Sequence, residues 1–205
     1  MVYNPNHVVV GAGSLYVAPL GTTEPTSVTG AWPSGWSTLG YTDQGSEFAS
    51  TTTWAQVMVE EEFYPIRNAP TEAKVTLTFA LAEATAFNLQ FALNGGMGSW
   101  GNATTTGVNA DGSVWVEPPI VGQELRCMVG WDSLVEGAAQ PPSAAVGQLG
   151  AFGRLLVRQV IQTGSIKRTA RKGNNKAMWS CEFSGEKPAT GLQPFRFIFP
   201  AGFAS

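Results

Sequence analysis

The stretch VTLTFALAEATAFNLQFALNGG, residues 75–96, decides the fold because its hydrophobic period changes halfway along. In the first part, apolar side chains alternate with threonines, at Val75, Leu77 and Phe79. An alternation with a period of two is typical of a strand that buries one face. The sequence therefore predicts a strand over residues 74–80.

The second part of the stretch, residues 83–94, has the spacing of a helix. Its apolar side chains recur at intervals of three and four, at Ala84, Phe87, Phe91 and the neighbouring Leu93. The two glycines that follow supply a helix stop. Such a helix is long enough to cover one open face of a sheet, so the pattern predicts a single helix within a β protein.

Alternating patterns predict most of the remaining strands. Apolar and polar side chains alternate across residues 124–132, 176–183 and 195–199, and an apolar stripe crosses residues 155–161. The predicted apolar faces hold Leu125, Cys127, Val129 and Trp131; Ala177, Trp179, Cys181 and Phe183; Phe195, Phe197 and Phe199; and Leu155, Val157 and Ile161. The predicted fold class is α+β, mainly β: an antiparallel β-sandwich or barrel-like domain with one flanking α-helix.

The first 35 residues differ in character from the rest of the chain. They hold two short strand-like runs, VVVGAG and SLYVAPL, followed by turn and linker chemistry. We expect an extended N-terminal arm with short strands over residues 1–35, with a loop folded back on its own domain as the alternative. Residues 36–205 are expected to form a single β domain, with long loops at 95–113 and 136–150.

The composition indicates a surface with few charges. Hydrophobic residues make up 43% of the 205-residue chain and charged residues only 13%, about half the usual share. A freely soluble monomer spreads both signs of charge over its outside, so the deficit favours a chain that other subunits cover. A compact β protein rich in Thr and Ser is the alternative. No apolar run approaches the roughly 20 residues that span a bilayer, so no membrane segment is expected.

Charge is unevenly placed along the chain. Residues 1–100 carry eight acidic and two basic side chains, whereas residues 101–205 carry seven acidic and ten basic ones. Complementary surfaces of this kind let identical subunits dock. We therefore expect self-assembly contacts between an acidic region over 47–62 and a basic region over 158–176. The candidate contact residues are Glu47, Glu60, Glu61, Glu62, Arg158, Lys167, Arg168, Arg171 and Lys172.

Both charged segments have other interpretations. The basic segment surrounds a GNN sequence between two strand-like stretches, which predicts a hairpin tip. Nucleic-acid contact is its alternative, but DNA-binding domains are usually net basic and this chain has a net charge of −3. The acidic run Glu60, Glu61 and Glu62 indicates a strand end or an assembly contact rather than a catalytic pair, because consecutive strand residues point to alternating faces.

Few residues could support catalysis or bind a cofactor. His7 is the only histidine, and neither Cys127 nor Cys181 lies in a CxxC or a Cys/His cluster. In VVVGAGSLY, Tyr16 stands where a dinucleotide-binding loop has its third glycine. We therefore expect no enzyme activity, no metal and no cofactor, with both thiols buried and inert.

Three motifs in the first half of the chain carry a family resemblance. They are GSLYVAPLGTTEPT at 13–26, WSTLGYTDQG at 36–45 and the stretch at 75–96. Together, and in this order, they resemble the tail tube proteins of long-tailed bacteriophages (siphophages), particularly those of actinobacteriophages. Residues 97–205 are similar to that family only in general character, as a β-rich remainder that ends in a strand.

The resemblance implies a structural virion protein of the viral tail, assembled in the cytoplasm of the host bacterium. It implies the tail tube fold, closing into hexameric rings that stack helically into a conduit for DNA ejection. The implied partners are further copies of the chain, a tape measure protein, a tail terminator and a distal initiator, with non-specific passage of DNA and no membrane. Because the sequence ends with FRFIFPAGFAS, no second C-terminal domain of immunoglobulin type is expected.

The implied conduit sets an expectation for charge, and two other functions stay open. A neutral or acidic lumen repels phosphate and lets DNA slide, so the basic residues at 167, 168, 171 and 172 are expected away from the channel.

One alternative function is that of a neck or tail completion protein, which would stop at one ring. A carbohydrate-binding sandwich would use some of the seven tryptophans and remain monomeric, although strand-like surroundings favour the core for Trp115, Trp131 and Trp179.

Overall fold

The computed structural model describes residues 13–28, 30–83, 85–97, 100–101, 105–134, 151–169, 178–189 and 191–199. Eleven strands and one helix lie within these residues. In chain order they are β1 (Gly13–Pro19), β2 (Ser37–Thr38), β3 (Thr42–Val57), β4 (Arg67–Leu81), α1 (Ala86–Ala92), β5 (Thr106–Val108), β6 (Val114–Val116), β7 (Cys127–Leu134), β8 (Ala151–Gln162), β9 (Lys167–Thr169), β10 (Met178–Gly185) and β11 (Phe195–Ile198).

Nine of the strands form one antiparallel sheet. Its hydrogen-bonded order is β2-β1-β7-β8-β10-β4-β3, with β11 paired to β8 and β9 paired to β10. One edge of β8 pairs with β11 at residues 154–157 and with β10 at 160–162, so the sheet divides there into two halves. The halves face each other across a core, and the described strands do not close into a barrel. The structure confirms the predicted α+β, mainly β, sandwich-like domain.

The core is built from the alternating positions of the central strands. On β4, Val75, Leu77 and Phe79 are all buried, as the sequence pattern predicts. Burying a large apolar side chain contributes about 1.5–3 kcal/mol. The same cluster also contains Leu15, Val17, Leu81, Cys127, Val129, Leu155, Val157, Cys181 and Phe183.

The predicted apolar stripe of β8 is wrong at its end. Val160, rather than Ile161, lies in the core next to Val157. Cys127 pairs with Val160 and Val129 pairs with Val157, so β8 holds one more residue than β7 between these pairs. This bulge turns the following side chains to the opposite face, which a strict alternation cannot anticipate.

The described part of residues 1–35 folds onto this domain instead of extending away from it. Strand β1 lies between β2 and β7 in the sheet. The segment that follows β1 returns over the outer face of the sheet, where Trp32 stacks on Tyr16 with ring centroids 4.5 Å apart. This cover is the reason that Asp132, on the predicted polar face of β7, is buried. Residues 1–12 lie outside the described residues.

Helix α1 is shorter than the predicted span of 83–94. It has seven residues and begins after the N-cap Thr85, whose side-chain oxygen accepts a hydrogen bond from the Asn88 backbone N–H. Such a cap satisfies one of the free donors at a helix start. Beyond the helix, Asn94 and Gly96 adopt positive φ angles of 60° and 79°, which turns the chain away from the helix.

The buried face of α1 also differs from the predicted stripe. Phe91 is buried, but Phe87 is 56% exposed. Asn88 is buried in its place, because its side-chain amide donates to the carbonyls of Leu39 and Glu83 and so links the helix to the neighbouring chain. Of the other two predicted positions, Leu93 is half-buried and Ala84 lies outside the described residues.

The two predicted long loops have different outcomes. The loop predicted at 95–113 contains β5, which pairs with β6 in a separate two-stranded sheet. Asn109 and Ser113 close the turn between these strands, where the Asn109 backbone N–H donates to the Ser113 carbonyl at 2.8 Å. The loop predicted at 136–150 lies outside the described residues.

Candidate self-assembly surfaces

The hairpin formed by β3 and β4 extends beyond the core. The strands pair from Thr42 with Leu81 to Val57 with Arg67, so the 15 residues of β4 span about 45 Å. The half of the hairpin nearest its turn, residues 51–57 and 67–74, exposes nearly all of its side chains. Threonines at 51, 52 and 53 favour an extended backbone there because they are β-branched. The hairpin therefore presents a long, uncovered ribbon.

The acidic run lies in the turn of this hairpin and not at a strand end, which corrects the prediction. Strand pairing stops at Val57 and Arg67. Glu60, Glu61 and Glu62 follow in the connecting turn, and all three are exposed. Consecutive turn residues do not alternate between two faces, so the three carboxylates can share one surface.

The same turn, residues 58–66, also exposes apolar side chains, and we call this segment the hairpin tip. Phe63 is 97% exposed and Tyr64 is 82% exposed. Clusters of exposed apolar side chains in a folded protein mark surfaces that bind something. The other exposed apolar residues of the hairpin tip are Met58, Val59 and Ile66.

Strand β3 is an edge strand with a free side. It is 16 residues long, and among the described strands it pairs with β4 alone. Register shifts interrupt this pairing between Asp43 and Ser46 and between Thr53 and Trp54. Irregularities of this kind limit uncontrolled pairing at sheet edges. The regular stretch between them, residues 46–53, is the part of the edge that can accept another strand.

The outward face of β3, β4 and β10 carries hydroxyl and carboxylate side chains. The register aligns Glu47 with Thr78 and Thr78 with Glu182, so the three form one row across the sheet. Glu47 and Glu182 are both exposed. The next row consists of Ala49, Thr76 and Ser184. This face is therefore polar and acidic.

Strand β9 carries the exposed part of the predicted basic region. Lys167 and Arg168 are exposed, and neither forms an ion pair with another residue that the structure describes. The Arg168 guanidinium lies 5.5 Å from the centroid of the Trp179 ring, in a cation–π contact. β9 pairs antiparallel with β10. The GNN sequence predicted as the hairpin tip lies outside the described residues. Arg171 and Lys172 lie outside the described residues.

Arg158 does not belong to the exposed basic region. It is 6% exposed, and its Nε and Nη2 donate to the two carboxylate oxygens of Glu24 at 2.6 and 2.9 Å. Its Nη1 donates to the Gln193 carbonyl at 2.6 Å. These side-chain hydrogen bonds from Arg158 lower the pKa of Glu24. The Arg158 side chain is therefore paired within its own chain, and we no longer treat it as a candidate self-assembly contact.

A buried ion pair that the sequence did not reveal fastens the segment between β1 and β2. The Arg154 Nε donates to Asp132 Oδ1 at 2.7 Å, and its Nη2 donates to Oδ2 at 3.0 Å. The same guanidinium donates to the carbonyls of Ser27 and Gly30. Trp32 Nε1 donates to Asp132 Oδ2 at 2.8 Å. The available signal was an acid, Asp132, and a base, Arg154, within two largely apolar strands.

An aromatic groove opens where the two halves of the sheet part. Phe48 meets Phe195 and Phe197 edge-on, with ring centroids 5.0 and 5.4 Å apart. Phe197 and Phe199 remain 46% and 56% exposed, so the apolar face predicted for β11 is only partly covered. The groove has a volume of about 490 Å³, and its lining also includes Ser46, Glu47, Trp131, Ser133, Gly153 and Leu155.

The two cysteines are buried, unpaired thiols, as the sequence predicts. Burial raises the pKa of the Cys181 thiol to about 12, and it also raises the pKa of the Cys127 thiol.

Across the described ranges, no group of three or more His, Cys, Asp or Glu side chains is placed to hold a metal ion. No helix within the same ranges is long and apolar enough to cross a membrane.

Comparison with known proteins gives these surfaces a context. Residues 1–118 match the model of a family described as phage tail tube protein, which is more than half of the 205 residues. The chain is thus a structural component of a phage tail, made of a β-rich domain. More specifically, it belongs to the phage tail tube protein family.

The comparison with solved structures gives a distant similarity. One similar chain is in the cryo-EM structure of the anti-feeding prophage (AFP) baseplate, 6-fold symmetrised, with 10% sequence identity and a TM-score of 0.48. That alignment covers 97% of this chain and 98% of the other. A search of curated proteins found no match.

Proposed function

We propose that this chain is the major tail tube subunit of a siphophage, of the type found in actinobacteriophages, and that it has no catalytic role. Its copies close into hexameric rings, and the rings stack helically into a conduit for genome delivery. One observation carries the proposal: the β3–β4 hairpin has a free 16-residue edge strand and an exposed apolar tip. Within the described residues, neither feature has a partner.

Ring closure gives the free edge of β3 a partner. A neighbouring copy that pairs along residues 46–53 would satisfy the backbone N–H and C=O groups that this edge presents. Closing a ring removes every such edge at once, since the last copy pairs with the first. This supports a closed ring over an open chain of subunits.

The polar face of β3, β4 and β10 suits the wall of a conduit. Its row of Glu47, Thr78 and Glu182 offers carboxylates and a hydroxyl, which repel or only weakly contact phosphate. DNA would then pass without binding. Strand β9 lies one strand beyond β10, at the margin of this face, and its register aligns Lys167 with Ser180 on the same side as Glu182. In this proposal a neighbouring copy covers that margin, so that Lys167 and Arg168 lie between subunits rather than along the channel.

Further components are needed because stacking has no natural end. A head-to-tail contact between rings is heterologous and repeats until another protein caps it. The proposed partners are therefore a tape measure protein, a terminator at the head end and an initiator at the distal end. Assembly takes place in the cytoplasm of the host bacterium, and the mature location is the tail of the virion.

Negative-stain electron microscopy of the concentrated, purified protein tests this function. We expect stacked tubes whose end views show hexameric rings. Single rings that never stack would favour a neck or tail completion protein instead. Persistent monomers whose tryptophan fluorescence changes with sugar would favour a carbohydrate-binding sandwich and overturn the proposal.

A further inference from the structure

The hairpin tip and strand β9 lie at opposite ends of the longest hairpin in the molecule. Arg168 of β9 pairs with Trp179, and Trp179 pairs with Leu81 at the end of β4 far from the turn. The hairpin tip lies beyond Arg67, at the other end of β4. The 15 residues of β4 separate these ends by about 45 Å. The hairpin tip therefore cannot reach β9 of its own chain.

The two ends carry opposite and unpaired charges. Glu60, Glu61 and Glu62 of the hairpin tip form no ion pair with the residues that the structure describes, and the same holds for Lys167 and Arg168 of β9. The arginines that do form ion pairs are engaged with acids of their own chain, at Arg126, Arg154, Arg158 and Arg196.

Strand β9 is open to approach. It pairs with β10 and with no other described strand, so its outer edge is free. Consecutive strand residues point to opposite faces, so Lys167 and Arg168 place a cation on each side of this edge. The three adjacent carboxylates of the hairpin tip lie in a turn, so they can contact cations on both sides of the β9 edge. Two carboxylates on one face of a strand could contact only the cation on one side.

The apolar side chains of the hairpin tip also find a match near β9. The Arg168 guanidinium already lies over the Trp179 ring, 5.5 Å from its centroid. A planar guanidinium can take an aromatic ring on its other face as well. Phe63 and Tyr64 follow directly after the acidic run and are almost fully exposed. An aromatic ring and a carboxylate can thus approach Arg168 together.

We propose that the hairpin tip of one copy docks on β9 of a second copy. Glu60, Glu61 and Glu62 oppose Lys167 and Arg168, and Phe63 or Tyr64 packs against Arg168. This inference rests on the proposed tail tube function and adds to it the residues and the direction of one contact. Like charge disfavours tip-to-tip and β9-to-β9 contacts, so the subunits align head to tail and the contact repeats along an axis.

Charge reversal in the full-length chain tests the contact. The tip variant is Glu60→Lys with Glu61→Lys and Glu62→Lys; the strand variant is Lys167→Glu with Arg168→Glu. Each should raise the critical concentration for tube formation at least about tenfold, because like charges then face each other. A chain with all five changes should return to within about threefold of the unaltered chain, since both sides of each contact are reversed. Sedimentation and electron microscopy measure the outcome.

A matched control separates this contact from a general effect of charge. Ala110→Glu with Gln123→Glu and Lys187→Glu changes the net charge by as much as the strand variant, at three exposed residues that lie outside the β3–β4 hairpin and β9. None of the three forms an ion pair with the described residues. We expect its critical concentration to be unchanged. An equal loss of tubes in the control and in the strand variant would overturn the inference.

Disulfide capture gives a second measurement that does not depend on tube formation by the reversed variants. Glu61→Cys with Lys167→Cys should form a ladder of linked oligomers on oxidation, because the native cysteines are both buried. Glu61→Cys with Lys187→Cys should not form this ladder. A ladder of equal length from both pairs, or from neither, would contradict the contact.

The outcomes distinguish this inference from the proposed function. If the unaltered chain forms tubes and both reversals form them at the same concentration, the inference fails and the tail tube function stands. If those reversals have no effect but Phe197→Ser with Phe199→Ser abolishes tubes, the aromatic groove rather than β9 carries the contact between copies, and the inference is overturned. If the unaltered chain forms no tubes and the Glu61→Cys with Lys167→Cys variant forms no ladder, both proposals fail.

Discussion

Arg154 and Asp132 show what one buried ion pair does in a chain with few charges. Both side chains are almost fully buried, at 0% and 3% exposure. Through Arg154, the pair also holds the carbonyls of Ser27 and Gly30 against the sheet. Its saturation with hydrogen bonds offsets the cost of removing two charges from water. The pair therefore orients the segment that covers the outer face of the sheet.

This role predicts an asymmetric response to mutation. Asp132→Ala should lower the free energy of unfolding by about 3–5 kcal/mol, because it leaves the Arg154 charge buried without a partner. Asp132→Leu with Arg154→Met should cost less, since no buried charge remains. Urea unfolding followed by tryptophan fluorescence measures both losses. A larger loss in the double variant than in Asp132→Ala would contradict the argument.

The exposed pair of Arg126 and Glu186 is the control for that comparison. Its side chains are 39% and 32% exposed, so solvent screens their attraction. Arg126→Ala should therefore change the free energy of unfolding by less than about 1 kcal/mol. The difference between the stability losses of Asp132→Ala and Arg126→Ala would arise from burial rather than from the loss of an ion pair as such.

Glu24 predicts a dependence of stability on pH. The side-chain hydrogen bonds from Arg158 hold its pKa below the ordinary value of 4.5 in the folded chain. A carboxyl with a depressed pKa contributes stability that is present above its unfolded pKa, and this is lost as pH falls through the folded pKa. Glu24→Gln should therefore reduce the loss of stability on acidification below about pH 4.5.

Urea midpoints measured between neutral pH and pH 3 test this prediction for Glu24. The matched control is Glu117→Gln, because Glu117 is exposed and forms no ion pair with the described residues. We expect the control to keep the acid sensitivity of the unaltered chain. Identical acid sensitivity in the unaltered chain and in Glu24→Gln would show that the Glu24 contact does not stabilise the fold.

At the scale of elements, β3 and β4 explain why a stable domain still exposes unsatisfied groups. The half of the hairpin near α1 packs on the core, whereas the half near the turn has only its own cross-strand pairs. Isolated two-stranded ribbons are marginally stable in water. The outer half therefore gains most from contact with a neighbouring copy.

Hydrogen exchange tests this gain directly. Backbone amides of residues 46–53 on the free edge should exchange at least about tenfold more slowly in tubes than in the monomer, because a neighbouring strand would then accept their hydrogen bonds. Amides of β1 are the internal control, since β1 already lies between β2 and β7. Equal protection of residues 46–53 in both states would count against pairing at this edge.

Sequence patterns located the central elements well, for a physical reason. The alternation at Val75, Leu77 and Phe79 reports burial of one strand face, and that burial is a local property of the pleat. The bulge in β8 escaped prediction because it is defined by the pairing of Val157 and Val160 with another strand. Likewise, the face of α1 that is buried depends on what the Asn88 amide can reach.

At the scale of the whole molecule, the important property is that the two ends of the subunit carry opposite charges. The acidic hairpin tip and the basic strand β9 lie at opposite ends of one hairpin, so their attraction acts between copies rather than within one. A subunit with complementary ends adds in one direction and leaves the same ends free for the next subunit. The charge-reversal experiment addresses this property, because reversing both ends restores complementarity without restoring any original residue.

The sequence by itself determined the α+β, mainly β character, the positions of the central strands, the buried cysteines and the existence of two oppositely charged regions. These follow from local periodicity and composition. Only the tertiary structure decided which charges are free: Arg158 pairs with Glu24, 134 positions away, whereas Lys167 and Arg168 pair with no described residue. Such long-range contacts depend on the order of strands in the sheet, which no local pattern encodes.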